Sequence, residues 1–403
     1  MRSKQLKELG ATLRDVLALA GRHLADHLVD ERRHEVVLYR GYGTPERVWV
    51  HGRALVSPDV SVASATDPAW RNLLNAYRRI ESDALPHATV RVKVGDAVRE
   101  IEADDEGFFG AWIPLTPPLP TDRTIHPVSA TIVAPASPGE SPHSAVGQVH
   151  TVAPTAAFGV VSDLDDTVVQ THVTNFVRAA RTVLLTNART RLPFPGVAAF
   201  YGALERGVAR SGPNPIFYVS GSPWNLYDVI TDFLTLQRIP LGPVLLRDWD
   251  LDRSLLGSGR QLAHKGRILR EIFATYPELP FILIGDSGEH DPEIYRSLVD
   301  EFPDRVLAIY IRNIHRAPER VAAVQALAEQ VRDARSALVL ADDTLAAARH
   351  AAEHGWIDPS TLSDVGDEKR ADEGATDEKA EAPGVEGPQA PTVVVEDGKA
   401  ESR

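Results

Sequence analysis

Phe158-Gly159-Val160-Val161-Ser162-Asp163-Leu164-Asp165-Asp166-Thr167 is the stretch on which the fold turns. A short apolar run, too brief for a helix, stops abruptly in an acidic turn. That reads as a buried strand with carboxylates at its carboxyl end. The pattern recurs downstream. Apolar strands are expected at 159–162, 216–220, 244–246, 281–285 and 306–311, and helices at 225–236, 265–276 and 292–302. Strands alternating with helices predict an α/β fold, a doubly wound and mostly parallel sheet covered on both faces.

Ligands of such a sheet bind outside the carboxyl ends of its strands. The first strand ends in Asp163 and Asp165, the second in Ser220-Gly221-Ser222, and a later one in Gly285-Asp286-Ser287. Between the last two, His264-Lys265-Gly266 is expected to open a helix. A hard cation such as magnesium wants a few oxygen ligands and keeps several waters. Asp163, the Asp165 carbonyl and Asp286 would supply that set. With charge neutralised there, the Asp163 carboxylate can attack a phosphoryl group and carry it covalently. Asp165 can protonate the leaving alkoxide and then deprotonate the attacking water. Ser220, the neighbouring backbone N–H of Gly221 and the Lys265 ammonium would hold the phosphoryl oxygens. Each motif alone is commonplace, since acidic turns are usually solvated and an Asp after a strand is often a cap. Their order along one sheet edge is what carries the reading.

That order resembles the haloacid-dehalogenase-like phosphatases. The resemblance implies that Asp163 is the nucleophile, Asp165 the general acid/base, Thr167 a support of the loop, and Ser220 and Lys265 phosphate ligands. It also implies that Asp286 and Asp291 hold or support magnesium. Longer strings are similar to the actin-patch-associated phosphatidate phosphatase family and its bacterial relatives. They are Ser162 to Thr167, Phe194-Pro195-Gly196, Tyr218 to Leu226 and Gly285 to Tyr295, with Leu38 to Pro45 upstream. This resemblance implies magnesium-dependent removal of phosphate from phosphatidate, leaving diacylglycerol. The proline-rich extensions of eukaryotic members are missing, so no cytoskeletal role is carried over.

Working outward, residues 35–152 change to period two. Thr89 to Val94 alternates, Gly95-Asp96 turns the chain, and 98–101 returns as a hairpin partner. Further strands are expected around 48–50, 108–113, 128–133 and 145–152, which together suggest a small β-sandwich-like domain. Residues 1–34 read as one amphipathic helix with leucines at three- and four-residue steps. Packing is the expectation for that stripe, because Asp15, Asp26, Asp30 and Glu31 dilute the positive face that a membrane-surface helix needs. A catalytic domain is expected over 153–316, Ala-rich helices over 317–357 and a disordered acidic tail over 358–403.

Composition excludes several classes. The chain has 403 residues and 43 basic against 56 acidic side chains, a formal charge of −13. The stretch 358–403 alone supplies −8 of that. No basic surplus marks a nucleic-acid binder. The absence of cysteine removes thiolate catalysis and sulfur-based zinc sites. No apolar run reaches the roughly 18 residues of a spanning helix. A cytoplasmic protein without a transmembrane segment is expected, with peripheral membrane contact left open.

The segment 171–195 is too short for a large cap, so the site would stay open to a bulky phosphate ester. Pro223-Trp224 reads either as an apolar wall of the site or as structural packing. Arg312, after the last strand, is a candidate for headgroup contact. Two alternatives stand beside a lipid phosphatase. One is a phosphatase for a soluble phosphate monoester. The other is a membrane- or partner-binding module that keeps the phosphatase fold as scaffold.

Overall fold

The computed structural model describes residues 32–58, 83–136, 143–164, 194–208, 213–247, 259–314, 317–333 and 336–381. The helix expected over 1–34 lies outside them up to residue 31, while 32–34 open a strand instead. Nine strands come first: β1 (Arg32–Leu38), β2 (Gly41–Thr44), β3 (Arg47–Pro58), β4 (Asp83–Ala84), β5 (Thr89–Val94), β6 (Ala97–Glu102), β7 (Phe108–Pro114), β8 (Ile125–Ala134) and β9 (Ser144–Thr151). Their ladders connect them in the order β1-β3-β2-β9-β8-β5-β6, with β4 and β7 also on β3, and residues of β3, β5, β7, β8 and β9 share one buried core. The long β3 is flanked by β1 and β2 on one edge and by β7 and β4 on the other. The period-two reading of β5 is met: Val90, Val92 and Val94 are fully buried while Arg91 and Lys93 face out. Those valines join Val48, Val50, Val128 and Val149 in a core of their own.

From residue 159 the chain builds a second sheet. Its strands are β10 (Gly159–Asp163), β11 (Ile216–Pro223), β12 (Val244–Arg247), β13 (Phe281–Asp286), β14 (Val306–Arg312) and β15 (Ala337–Ala341). Every ladder is parallel, and the order is β12-β11-β10-β13-β14-β15. The helices are α1 (Val197–Arg206), α2 (Tyr227–Leu236), α3 (Gly259–Thr275), α4 (Asp291–Glu301), α5 (Pro318–Asp333), α6 (Thr344–Glu353) and α7 (Thr361–Glu381). Alternate strand residues feed two cores. Val160, Tyr218, Ile282, Ile284 and Tyr310 pack with α1, α2 and α6. Val161, Phe217, Val219, Leu283 and Ile309 pack with α3, α4 and Val324 of α5. A strand buried on both faces needs no polar alternation, which is why these runs are continuously apolar.

Two expectations need correcting. Residues 318–354 are not helical throughout, because Ala337-Leu338-Val339-Leu340-Ala341 forms the edge strand β15, paired to β14 from Ala308 to Arg312. Apolar residues in an edge strand find a ladder partner and a packing surface at once, and that outweighs the helix propensity of the alanines. The tail is not disordered from 358 either, since α7 runs to Glu381. Its acidic side chains have partners at the start of α1: Asp372 accepts from Gly196 N–H at 3.0 Å and Glu368 from Ala199 N–H. Carboxylates at a helix N-terminus satisfy orphan donors and complement the dipole. Val365 is fully buried, and Lys369 pairs with Asp343, the N-cap of α6, at 2.6 Å. The double change Glu368→Ala and Asp372→Ala is expected to cost about 1–2 kcal/mol in urea unfolding.

Both cores of the parallel sheet take in residues of the β-rich segment. Val37, Tyr39 and Leu55 join one, and Tyr42 joins the other with Trp49 and Trp112 packed against it. His51 is buried in this junction, and burial holds its imidazole down to about 3, although a hydrogen bond from the ring to the Arg40 backbone opposes the shift. The folded state therefore binds fewer protons here than the unfolded chain, where the ring titrates near 6.5. Its contribution is full above pH 6.5 and drains as pH falls toward about 3, at up to about 1.4 kcal/mol per pH unit. His51→Phe is expected to flatten the acid limb of a melting-temperature profile between pH 6.5 and 4.

Candidate active site

The strand order sets the place. β10 hands the chain to β11 on one side, while β13 pairs on its other side. At such a reversal the crossover helices part and leave a crevice at the carboxyl ends. Asp163 closes β10, level with Val219 of β11, so Ser220 lies one step beyond it. Asp286 closes β13, level with Arg312. The β11 ladder to β12 shifts register between Val219 and Pro223. Ser220, Gly221 and Ser222 thus step out of the regular ladder, as strands do where a side chain is re-aimed near a site. Ser220 is 1% exposed and its Oγ accepts from Ser222 N–H at 2.9 Å.

Lys265 reaches this edge from the second turn of α3. The helix begins at Gly259, so Lys265 does not open it as expected. An interior position gives the long side chain a fixed base, and its Nζ donates to Asp163 Oδ1 at 2.7 Å and to Asp291 Oδ1. Glu289 Oε2 stands 4.0 Å away. Burial would pull the ammonium down, but the charges of Asp163 and Asp291 outweigh it and hold Lys265 well above its ordinary value.

Asp291 comes from the first residue of α4. Its other oxygen, Oδ2, accepts from Asp286 N–H at 3.3 Å. The backbone of Gly285 makes this approach feasible, because a Cβ built there would overlap the Asp291 carboxylate. Asp286 Oδ1 accepts from Gly288 N–H at 2.6 Å and Glu289 N–H at 3.0 Å. Its Oδ2 is buried without a hydrogen-bond partner. Burial first, then Asp291 and Glu289, pushes the Asp286 carboxyl up to about 7, against the pull of Lys265.

Asp163, Asp286 and Asp291 each offer a carboxylate oxygen, and these oxygens lie within 4.8 Å of one another. Oxygens about 2.1 Å from a magnesium ion sit up to about 4.2 Å apart across it. A set of hard donors at nearly that spacing, with a buried orphan oxygen among them, fits such an ion. Among the described residues, Asp163, Asp286 and Asp291, with Glu289 beside them, gather around the Lys265 ammonium, so the cluster is short of positive charge. Cations and anions can be held together here: the carboxylates for a metal, and the ammonium with the Ser220 turn for a phosphoryl group.

The structure therefore brings Asp163, Ser220, Gly221, Lys265, Asp286 and Asp291 to one sheet edge. Asp165 and Thr167 lie outside the described residues, as does most of the segment 171–195. Sequence reading passed over Glu289 as a site residue, although its place in the acidic turn before Asp291 was a usable signal. It also missed Tyr201, whose hydroxyl bonds Ser162 Oγ at 2.7 Å while Ser162 donates to the Asp163 carbonyl at 2.6 Å. Trp224 is packing rather than a wall of the site, being 8% exposed and stacked on Tyr39. Arg312 is half-buried and engaged elsewhere. Its Nη2 donates to Thr344 at 3.0 Å and its guanidinium lies 3.8 Å over the Phe194 ring, which occupies the group expected to meet a headgroup.

Residues 158–313 match the family model described as the catalytic domain of phosphatidate phosphatase APP1. The chain is 30% identical over 217 residues to phosphatidate phosphatase APP1 of Saccharomyces cerevisiae, covering 53% of this chain and 36% of that protein. It is 29% identical over 158 residues to an uncharacterized protein of Schizosaccharomyces pombe, covering 38% of this chain and 25% of that one. The chain thus spans about a third of the first relative and a quarter of the second. A β-glucuronidase from Parabacteroides merdae aligns with a TM-score of 0.26 and 11% identity over 76% of this chain and 38% of that one, a likeness too slight to carry any argument. The family-model match and the carboxylate cluster fall on the same residues. No helix among the described residues is long and apolar enough to cross a membrane.

Proposed function

We propose that this chain is a magnesium-dependent phosphatase of the haloacid-dehalogenase-like, doubly wound type, that it acts through a phosphorylated Asp163, and that phosphatidate is its substrate class. The observation that carries the reading is the buried Asp163–Lys265–Asp291–Asp286 cluster at the sheet reversal. The family-model match over 158–313 supports it.

Magnesium, held by Asp163, Asp286 and Asp291, would supply neutralising positive charge to both carboxylate and phosphoryl oxygens. The chain's own groups do the rest. An Asp163 oxygen attacks phosphorus as the ester P–O bond breaks, and Asp165 gives its proton to the departing alkoxide. Water then attacks the same phosphorus, Asp165 takes the proton, the Asp163–phosphate bond breaks and inorganic phosphate leaves. Lys265 and the N–H groups of the Ser220 turn hold the equatorial oxygens in both steps, where loose phosphoryl transfer needs positioning and charge stabilisation. Burial of the cluster strengthens each of these interactions.

Phosphate release decides the substrate. Phosphatidate in detergent micelles, glycerol 3-phosphate, sugar phosphates and nucleotide monophosphates are compared at equal phosphate concentration, with magnesium and with a chelator. The expected result is magnesium-dependent release with phosphatidate preferred. Preference for a soluble ester by about 100-fold, a difference of about 2.7 kcal/mol in transition-state binding, would discard the lipid assignment and keep the mechanism.

A further inference from the structure

We propose that Tyr39 and His51 of the β-rich segment are positioning residues for the Ser220–Pro223 turn, acting through Trp224. The proposal rests on the phosphatase reading for what the turn holds, but not for how the turn is held.

β11 ends at Pro223, and Trp224 follows at once. Its indole stacks on Tyr39 with ring centres 4.5 Å apart, and His51 meets it edge-on at 4.6 Å. Tyr39 and His51 also touch each other, with centres 5.3 Å apart and a backbone hydrogen bond of 3.1 Å from Tyr39 N–H to the His51 carbonyl. A second tie runs to the start of α2, where Tyr227 lies 4.6 Å from Tyr39 and its hydroxyl accepts from Arg40 N–H at 2.8 Å. On the other face of the sheet Tyr42 meets Phe217 edge-on at 5.9 Å, and Tyr276 donates to the Gly43 carbonyl at 3.2 Å.

Two residues of this short stretch therefore bracket the turn: Tyr42 meets β11 before it at Phe217, and Tyr39 meets Trp224 directly after it. Between those anchors the β12 ladder loses its register, so the ladder alone does not fix the Ser220–Ser222 backbone. Aromatic contacts fix the point where the turn ends, and edge-on and stacked geometries are orientation-specific. A displacement of about 1 Å at a group that holds a reacting phosphoryl can cost about 100-fold in rate. The β-rich segment is on this reading part of the catalytic machinery's frame rather than a detachable binding module. Neither Tyr39 nor His51 touches the reacting atoms.

The test uses the full chain with Tyr39→Ala and Tyr39→Phe. It reads kcat and KM on a phosphate ester that the wild type hydrolyses, together with amide exchange of the 218–226 and 281–300 segments. Tyr39→Ala is expected to lower kcat about 30-fold or more with a smaller change in KM, and to speed exchange in 218–226 but not in 281–300. Tyr39→Phe, which keeps the stacked ring, is expected to restore kcat to within about threefold. Should the alanine variant not fold, Tyr39→Leu keeps most of the apolar volume while removing the ring. Wild-type kcat and exchange in the ring-free variant would overturn the proposal, as would equal acceleration of both segments. A wild type that hydrolyses no ester would refute the phosphatase reading alone, and the exchange comparison would still decide how the turn is held.

Discussion

Asp163→Asn lowers kcat by at least about 10³-fold while leaving the melting temperature within a few degrees of wild type. The amide cannot carry the phosphoryl group, and it presents one oxygen where the carboxylate presents two. Folding should survive, because the amide has nearly the same shape and Lys265 keeps its ion pair with Asp291. Steady-state phosphate release and a thermal melt on the same preparation check both halves. Activity within tenfold of wild type would remove Asp163 from the nucleophile's role. Mass spectrometry of acid-quenched wild type during turnover gives an independent reading, with a phosphoryl adduct expected on the peptide that contains Asp163.

Lys265→Met combines a loss of function with a large loss of stability. Its ammonium pairs with both Asp163 and Asp291, and it is buried with them. Breaking a buried pair by removing one partner leaves uncompensated charge and typically costs about 3–5 kcal/mol. Methionine has nearly the same volume, so the cost is electrostatic rather than a cavity. Because the carboxylates lose their internal counterion, added magnesium is expected to raise the melting temperature of the variant more than that of wild type. An identical magnesium response in both proteins would argue that the ion does not bind at this cluster. Phosphate release is expected to fall by about 100-fold or more, because a point charge on the transferring oxygens is lost.

The parallel sheet was legible from sequence because each strand is short, apolar and ended by polar residues, and because both faces are buried. The carboxylates and the serine could be placed at one edge for the same reason, since parallel strands all point their carboxyl ends the same way. What stayed hidden depended on tertiary contact. Ala337–Ala341 reads as helix until β14 offers it a ladder. Residues 361–381 read as a solvated tail until the first turn of α1 offers their carboxylates unpaired N–H groups. Lys265 looked like a helix-opening residue because the six residues before it, from Gly259, carry no start signal. The grip of Tyr39 on Trp224 joins residues nearly two hundred positions apart, and no local pattern announces such a contact.

Gly285 gives the site a vulnerability at a position with no functional atom of its own. Any side chain there would displace Asp291 from behind the strand, unlatch Lys265 and leave Asp163 without its fixed cation. Even alanine, the mildest of substitutions elsewhere, should therefore mimic Asp163→Asn. A saturation screen of this chain would score residue 285 as intolerant beside its chemically active neighbours, and the sensitivity would report steric exclusion, with no contribution to chemistry.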